Sequence, residues 1–253
     1  MKSDPIEAMP ASSNFQEAIR EAQSGALIGP NVVNKALPYV GGGMVLTAGG
    51  VLGGMSLMAS APALFMPLFW VALIGNFILF FVAQNAAMKG NVGTALPILT
   101  AYSLITGFTL SGIVSYAVTA AGVGAVGTAA LATGITFVIA SFFGRRMSDN
   151  VGQALSGVVG LGIIGLVIAM VVQLVGGLFA PAIFTGGTFE LMIAGLGTVI
   201  FVGAAFVDFY TMPRTYSDDQ YMAGALGMYL TYINLFIFIL RLIIALQGGG
   251  RRD

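Results

Sequence analysis

Residues 227–243 read GMYLTYINLFIFILRLI, which is apolar enough for a bilayer yet includes polar side chains and a full positive charge. Five residues recur there at intervals of three or four: Gly227, Thr231, Asn234, Phe238 and Arg241. That spacing places them on one stripe of a helix. Lipid cannot satisfy polar groups, so the stripe must face protein or water. The stretch therefore predicts a membrane helix with one face turned into a bundle.

The composition of the whole chain points to the same class of protein. Of 253 residues, 57% are hydrophobic and 8% are charged, and the mean hydropathy is +0.94. A soluble domain has about 25% charged residues, so the sequence predicts an all-α integral membrane protein with the lipid bilayer as its surroundings. Ten basic and ten acidic residues cancel, which argues against a nucleic-acid partner.

Two residue types that carry much protein chemistry are missing. The chain contains no Cys and no His, which excludes thiolate and imidazole metal sites as well as Ser-His-Asp catalysis. No carboxylates are paired at a catalytic spacing, so we expect neither an enzyme nor a bound cofactor. Any transport of protons or cations would have to use carboxylates, hydroxyl groups and backbone carbonyls.

Seven apolar windows are long enough to cross a bilayer core, which takes about 20 residues. They cover residues 36–58, 63–84, 94–118, 124–144, 154–178, 188–212 and 222–246. We expect a seven-helix transmembrane domain over residues 33–246. Residues 1–32 are predicted to be a polar cytosolic segment with a short amphipathic helix in SSNFQEAIREAQSG, and residues 247–253 a polar tail.

Basic residues alternate with the predicted spans. They precede span one and follow spans two, four and six; these are Lys2, Arg20, Lys35, Lys89, Arg145, Arg146 and Arg214. The loops after spans one, three and five contain no Lys or Arg. Because cytosolic loops are enriched in Lys and Arg, we expect the N-terminus to be cytosolic. Seven full spans leave the tail outside, and the alternative is a re-entrant last segment with a cytosolic C-terminus.

Asp208 is the leading candidate among the few charged residues in the spans. Span six is predicted to end at Pro213, which places Asp208 about one turn inside its cytosolic end, on one stripe with Glu190. A carboxylate there opposes the helix dipole, and an intramembrane carboxylate facing a bundle is a functional candidate. We expect Glu190 to be a capping charge at the outer mouth of span six, and Arg241 to snorkel to the outer interface.

Softer polar residues occur in spans two and three. Asn76 lies near the middle of span two, and four residues recur along one side of span three: Tyr102, Thr106, Thr109 and Tyr116. We expect them to point inward and make hydrogen bonds between helices, worth about 0.6 kcal/mol each.

The stretch MAGALGMYLTYINLFIFILRLI resembles the last helix of the Bax inhibitor-1 family, also called transmembrane BAX inhibitor motif proteins. That helix typically reads ALSLYLDFINLFLxLLRLL, and the matching positions are Tyr229, Leu230, Ile233, Asn234, Leu235, Phe236, Leu240 and Arg241. The segment GTVIFVGAAFVDFYTM resembles the penultimate helix, whose inner end carries an aspartate at the position of Asp208. The segments TGFTLSGIVSYA and TFVIASFFGRRMSDN are similar to spans three and four, although Gly112 replaces a proline. The likeness covers roughly residues 35–246.

The resemblance implies a seven-helix bundle with the last helix at its centre, as in a bacterial-type member housed in the inner membrane. It also implies a leak of cations, chiefly Ca²⁺, gated by protons through two aspartates on the last two helices. Here the second aspartate position is Thr231, and only Lys89 remains of a basic cluster after span two. The resemblance therefore leads us to expect a proton gate that is weakened or lost.

Two functions remain open at this point. The first is a passive cation leak channel whose cytosolic half is lined by Asp208, Thr231 and Asn234, with Asp208 as a weak Ca²⁺ ligand. Oxygen ligands suit Ca²⁺, but one carboxylate gives a poorly selective site. The second is a non-transporting regulator that binds a membrane quality-control protease or a stress-response partner through its N-terminal segment.

Overall fold

The computed structural model describes residues 27–184 and 187–249. In this part of the chain, seven helices are long and apolar enough to span a membrane. They are α1 (Val32–Ser60), α2 (Pro62–Met88), α3 (Val92–Ala121), α4 (Val123–Gly144), α5 (Asp149–Phe179), α6 (Gly187–Thr215) and α7 (Tyr221–Gly249). A four-residue helix, Pro181–Phe184, lies in the break after α5. The predicted all-α, seven-helix fold is confirmed, whereas the predicted amphipathic helix before α1 lies outside the described residues.

Local sequence sets where several of these helices begin and end. Pro62 occupies the first turn of α2, where its missing N–H costs nothing. The Asn91 side chain accepts a hydrogen bond from the Thr94 backbone N–H at 3.2 Å and caps α3. Gly122 separates α3 from α4 with a φ of 83°, a conformation that glycine adopts without steric cost.

Helix α6 continues two residues past Pro213, so the prediction that it ends there is wrong. The Arg214 Nη1 atom donates to the Tyr210 carbonyl at 2.8 Å, and the Gly29 N–H donates to the Pro213 carbonyl at 3.0 Å. The bond to the Pro213 carbonyl satisfies one of the four carbonyls that a helix end leaves free. Asp208 therefore lies about two turns from the end of α6 rather than one.

Packing in the bundle is closest between α1 and α3. Gly50 of α1 lies directly against the Leu104 carbonyl of α3, where a Cβ atom would overlap that carbonyl. Such backbone contact is how small residues hold membrane helices together, because lipid offers no hydrophobic driving force. The predicted packing role of the glycines in span one agrees with this contact.

Helix α7 packs against α1, α2, α3, α4 and α6. Several of its side chains are fully buried, namely Leu226, Met228, Tyr229, Leu235 and Leu240. It is continuous over its 29 residues, with no break of the kind a re-entrant segment needs. The central position of the last helix stays a prediction.

Helices α2 and α5 are the least buried of the seven. Only 6% and 11% of their apolar windows are buried, so most of their side chains are left for lipid.

One end of the bundle, here called the basic end, collects the start of α1, α5 and α7 and the finish of α2, α4 and α6. Three hydrogen bonds join these termini: Arg145 Nη1 to Asn34 Oδ1 at 2.9 Å, Gln220 Nε2 to the Met88 carbonyl at 3.1 Å, and Arg214 Nε to Asp149 Oδ1 at 3.1 Å. Partial burial lowers the pKa of the Arg145 guanidinium, which remains a cation at neutral pH. Of the basic residues predicted for one side of the membrane, those within the described part of the chain thus lie at this one end.

Candidate functional site

Helices α6 and α7 form an antiparallel hairpin. The stripe of α6 that carries Glu190 and Asp208 faces the polar stripe of α7. Three pairs of residues meet along this line, which we call the α6–α7 seam. From the basic end outward, they are Asp208 with Thr231, Phe201 with Phe238, and Glu190 with Arg241. The seam is thus polar near the basic end, aromatic in its middle and charged at the far end.

Asp208 is the exceptional residue of the seam. Its Oδ2 atom is buried and has no hydrogen-bond partner among the described residues, although the residue as a whole keeps some exposed surface. The Thr231 side chain, itself 8% exposed, lies next to the carboxyl group. A buried polar atom without a partner costs about 1–3 kcal/mol. This orphaned oxygen requires an explanation beyond stability.

Asn234 was predicted to join this pair, and the structure gives its amide a different bond. The Nδ2 atom donates to the Leu230 carbonyl of the same helix at 2.9 Å. The lining role of Asn234 stays a prediction, and Asp208 and Thr231 are the two members of the predicted trio that lie side by side.

The part of the seam around Asp208 offers few ligands for a metal ion. Across residues 27–184 and 187–249, no three His, Cys, Asp or Glu side chains are grouped closely enough to hold one. Ca²⁺ takes six to eight oxygen ligands, whereas Asp208 and Thr231 offer one carboxyl and one hydroxyl group. Asp208 and Thr231 therefore do not provide the ligand set of a tight Ca²⁺ site.

Glu190 and Arg241 form a two-pronged ion pair at the far end. Arg241 Nε donates to Glu190 Oε1 at 2.7 Å, and Arg241 Nη2 donates to Oε2 at 2.8 Å. Glu190 lies in the first turn of α6, as predicted for a capping charge. Arg241 does not simply snorkel to the interface, because its guanidinium group is bound to this carboxylate and its side chain is only 17% exposed.

Gln173 of α5 completes this charged cluster. Its Oε1 atom accepts from Arg241 Nη2 at 3.2 Å, and its Nε2 atom donates to Glu190 Oε2 at 2.8 Å. The amide therefore bonds both partners of the ion pair at once. The three side chains tie α5, α6 and α7 together where charges are costly to leave unpaired.

A cavity of about 950 Å³ adjoins this cluster. It is lined by Ile113 and Tyr116 of α3, by residues of α5 such as Val167 and Met170, and by Glu190 and Arg241. Its wall is mostly apolar, with the ion pair and Gln173 as its polar part. The far end of the seam is therefore approached through an open space rather than sealed by neighbouring helices.

A separate polar contact lies among α1, α3 and α7. The Tyr229 hydroxyl and the Thr47 hydroxyl are 2.6 Å apart, and Thr47 Oγ1 also lies 2.8 Å from the Gly43 carbonyl. Thr47 has a single hydroxyl hydrogen, which it donates to that carbonyl, so Tyr229 donates to Thr47. Ser103 Oγ is buried close by without a partner among the described residues.

Asn76 makes the predicted bond between helices. Its Nδ2 atom donates to Thr106 Oγ1 at 3.0 Å, and Thr106 Oγ1 donates back to Asn76 Oδ1 at 3.2 Å. Thr109, in contrast, donates to the Thr106 carbonyl of its own helix at 2.8 Å. Tyr116 does not point inward as predicted, because it is 61% exposed and lines the open cavity beside α3.

Some of the contacts that were not predicted could have been inferred from the sequence. An antiparallel hairpin brings the start of α6 and the last part of α7 to the same end of the bundle, where the long side chains of Glu190 and Arg241 can reach each other. Gln173 offered no such signal, because its position depends on how α5 packs against α6. The contact between Thr47 and Tyr229 was not predicted because single threonine and tyrosine residues in apolar helices do not stand out.

Comparison with known proteins identifies the family of this chain. A family model described as "Inhibitor of apoptosis-promoting Bax1" matches residues 29–248. The chain belongs to the Bax inhibitor-1 family. It is 32% identical to an uncharacterised membrane protein of Streptococcus pyogenes serotype M1 over 208 residues, which cover 79% of this chain and 80% of that protein. It is also 29% identical to the uncharacterised protein YrjE of Lactococcus lactis, over 79% and 81% of the two chains.

A eukaryotic member is similar over a shorter part of the chain. Bax inhibitor 1 of Schizosaccharomyces pombe is 37% identical over 60 residues, which are 24% of this chain and 23% of that protein. The resemblance first drawn from the last two helices is thus confirmed at the level of the family. This Bax inhibitor-1 family member carries Thr231 beside Asp208.

Proposed function

We propose that this protein is a passive cation leak channel, with Ca²⁺ as the favoured ion and the α6–α7 seam as its pathway. A cation would meet the Asp208 carboxyl group with the Thr231 hydroxyl beside it. Oxygen ligands of this kind suit Ca²⁺, and so small a set holds it weakly enough to release it.

The observation that carries this proposal is the orphaned Oδ2 atom of Asp208. A stabilising role would provide the carboxyl group with donors, as Glu190 is provided with Arg241 and Gln173. Asp208 instead keeps a buried oxygen without a partner in a helix with few charges. An unmatched carboxylate within a membrane span is a ligand for something that passes or binds there.

Proton gating is expected to be weak in this member of the family. Two adjacent carboxylates share a proton because both cannot ionise cheaply. Thr231 has no charge to share, so Asp208 lacks the like-charged partner on which such a gate depends.

The proposed setting is a bacterial inner membrane with the basic end in the cytosol. Support comes from the grouping of Arg145, Arg214 and Lys35 at that end and from the enrichment of cytosolic loops in Lys and Arg. Asp208 would then lie in the cytosolic half of the membrane, and the ion pair in the outer half.

The test is ion flux through the purified protein in liposomes that enclose a Ca²⁺-sensitive dye. We expect a Ca²⁺ leak that scales with protein content and exceeds that of protein-free vesicles. Liposomes no leakier with protein than without it would favour the alternative, a non-transporting regulator that acts through a membrane partner.

A further inference from the structure

Phe238 occupies the middle of the α6–α7 seam. It is 3% exposed, and its ring is stacked on Phe201 of α6 with centroids 5.5 Å apart and planes inclined by 18°. Leu166 of α5 and Ile193 of α6 belong to the same buried cluster. The two rings thus form an apolar layer between α6 and α7.

Gly197 supplies the space that Phe238 fills. A Cβ atom at Gly197 would overlap the Phe238 ring, with the ring carbons as its nearest neighbours. The ring therefore lies in a notch that exists only because residue 197 has no side chain. This close fit fixes the position of the ring across the seam.

The rings lie between the two polar parts of the seam. On the far side, the Arg241 guanidinium carbon is 5.5 Å from the centroid of the Phe238 ring. On the near side, seven residues of α6 separate Phe201 from Asp208, which is about 10 Å along a helix. An ion moving along the seam from the Glu190–Arg241 pair to Asp208 would have to pass this layer.

We propose that Phe238, held in the Gly197 notch against Phe201, is the barrier that closes the pathway between Asp208 and the outer cavity. The inference rests on the proposed function, and it assigns the barrier to named residues. A hydrophobic constriction stops ions because it excludes the water that would hydrate them. Rotation of the Phe238 side chain out of the notch would join the outer cavity to Asp208.

The experiment compares cation flux in liposomes for the native protein, Phe238→Ala and Phe238→Leu. Removing the ring should raise the Ca²⁺ leak about tenfold or more, and the smaller leucine should give an intermediate rise. Phe77→Ala is the matched control, since Phe77 is 68% exposed on α2 and should leave the flux unchanged. The melting temperature of each variant in detergent identifies a folded protein, and Phe238→Leu serves if Phe238→Ala does not fold.

Asp208→Asn in the Phe238→Ala background separates the two ideas. Loss of the raised leak in that double variant would support the barrier and the pathway together. A native leak that depends on Asp208 but is unchanged in Phe238→Ala and Phe238→Leu would overturn the barrier and leave the channel standing. Absence of any protein-dependent leak, in native protein and folded variants alike, would overturn both.

Discussion

Arg241 of α7 binds both carboxylate oxygens of Glu190 on α6, at 2.7 and 2.8 Å. The pair fastens the last two helices to each other at the end opposite Asp208. Because Glu190 was expected from the sequence to be a capping charge, its loss would have seemed mild. The structure shows Arg241 as its partner, so we now expect the loss of Glu190 to destabilise the protein.

Glu190→Gln should therefore destabilise the protein by about 1–3 kcal/mol, because it leaves the Arg241 charge without its counterion in a poorly hydrated place. The melting temperature in detergent reports the loss. Exchanging the two residues, as Glu190→Arg with Arg241→Glu, should recover a large part of it. If the exchange is no better than the single change, the ion pair is not what holds this end of the hairpin.

A second stability prediction concerns the bond between Tyr229 and Thr47. Tyr229→Phe and Thr47→Val should each lower the free energy of unfolding by about 0.5–1.5 kcal/mol. The double variant should cost less than the sum, since both changes remove the same bond. Thr119→Val is the control, because the exposed Thr119 hydroxyl bonds only the Ser115 carbonyl of its own helix. Fully additive effects would show that the two hydroxyl groups are not coupled.

Much of this fold could be predicted because a bilayer imposes a simple rule on sequence. Apolar windows gave the seven helices, but their ends came out short: α1 runs over Val32–Ser60 rather than 36–58. Hydropathy falls where a chain leaves the lipid core, whereas helical hydrogen bonds continue into the interface. The prediction that α6 ends at Pro213 was wrong for a related reason. Hydrogen bonds from other residues support the last turn of α6 beyond this proline.

The candidate site could be predicted only in part. Helical spacing placed Asp208 on one stripe of α6 with Glu190, and the family motif suggested Thr231 as its neighbour, which lies next to it in the structure. Spacing tells which face a residue occupies, but it does not tell which residue lies opposite. The place of Gln173 against Glu190, and the notch of Gly197 beneath Phe238, depend on how separate helices pack, which one helix's sequence does not contain.

The orientation of the protein can be tested with engineered cysteines, because the native chain has none. Ser148 is exposed at the basic end, and Val123 is 72% exposed at the opposite end. A membrane-impermeant thiol reagent added to intact cells should label Val123→Cys but not Ser148→Cys. Labelling of Ser148→Cys alone would reverse the orientation.

The pH dependence of the leak follows from the single carboxylate. With one carboxyl group at this place, native flux between about pH 6 and 8 should change no more steeply than the titration of a single proton. Thr231→Asp should add a steep response, with flux rising as pH rises, because a shared proton that holds the helices together is then released.

Asp208→Asn in the Thr231→Asp background should remove that response, since one carboxylate again stands alone. Ca²⁺ flux in liposomes across this pH range provides the measurement. A native protein that is already steeply dependent on pH, and unchanged by Thr231→Asp, would place the proton sensor at another residue.

The most direct test of the account is Ca²⁺ flux through native protein and Asp208→Asn, reconstituted at equal amounts of folded protein. Asparagine keeps the size of the side chain and removes its charge, so folding should be preserved, since an uncharged amide costs less to bury than a carboxylate. We predict that Asp208→Asn reduces the leak at least about tenfold, while Asp149→Asn at the basic end does not. A leak of native size through folded Asp208→Asn would contradict the assignment of the pathway to Asp208.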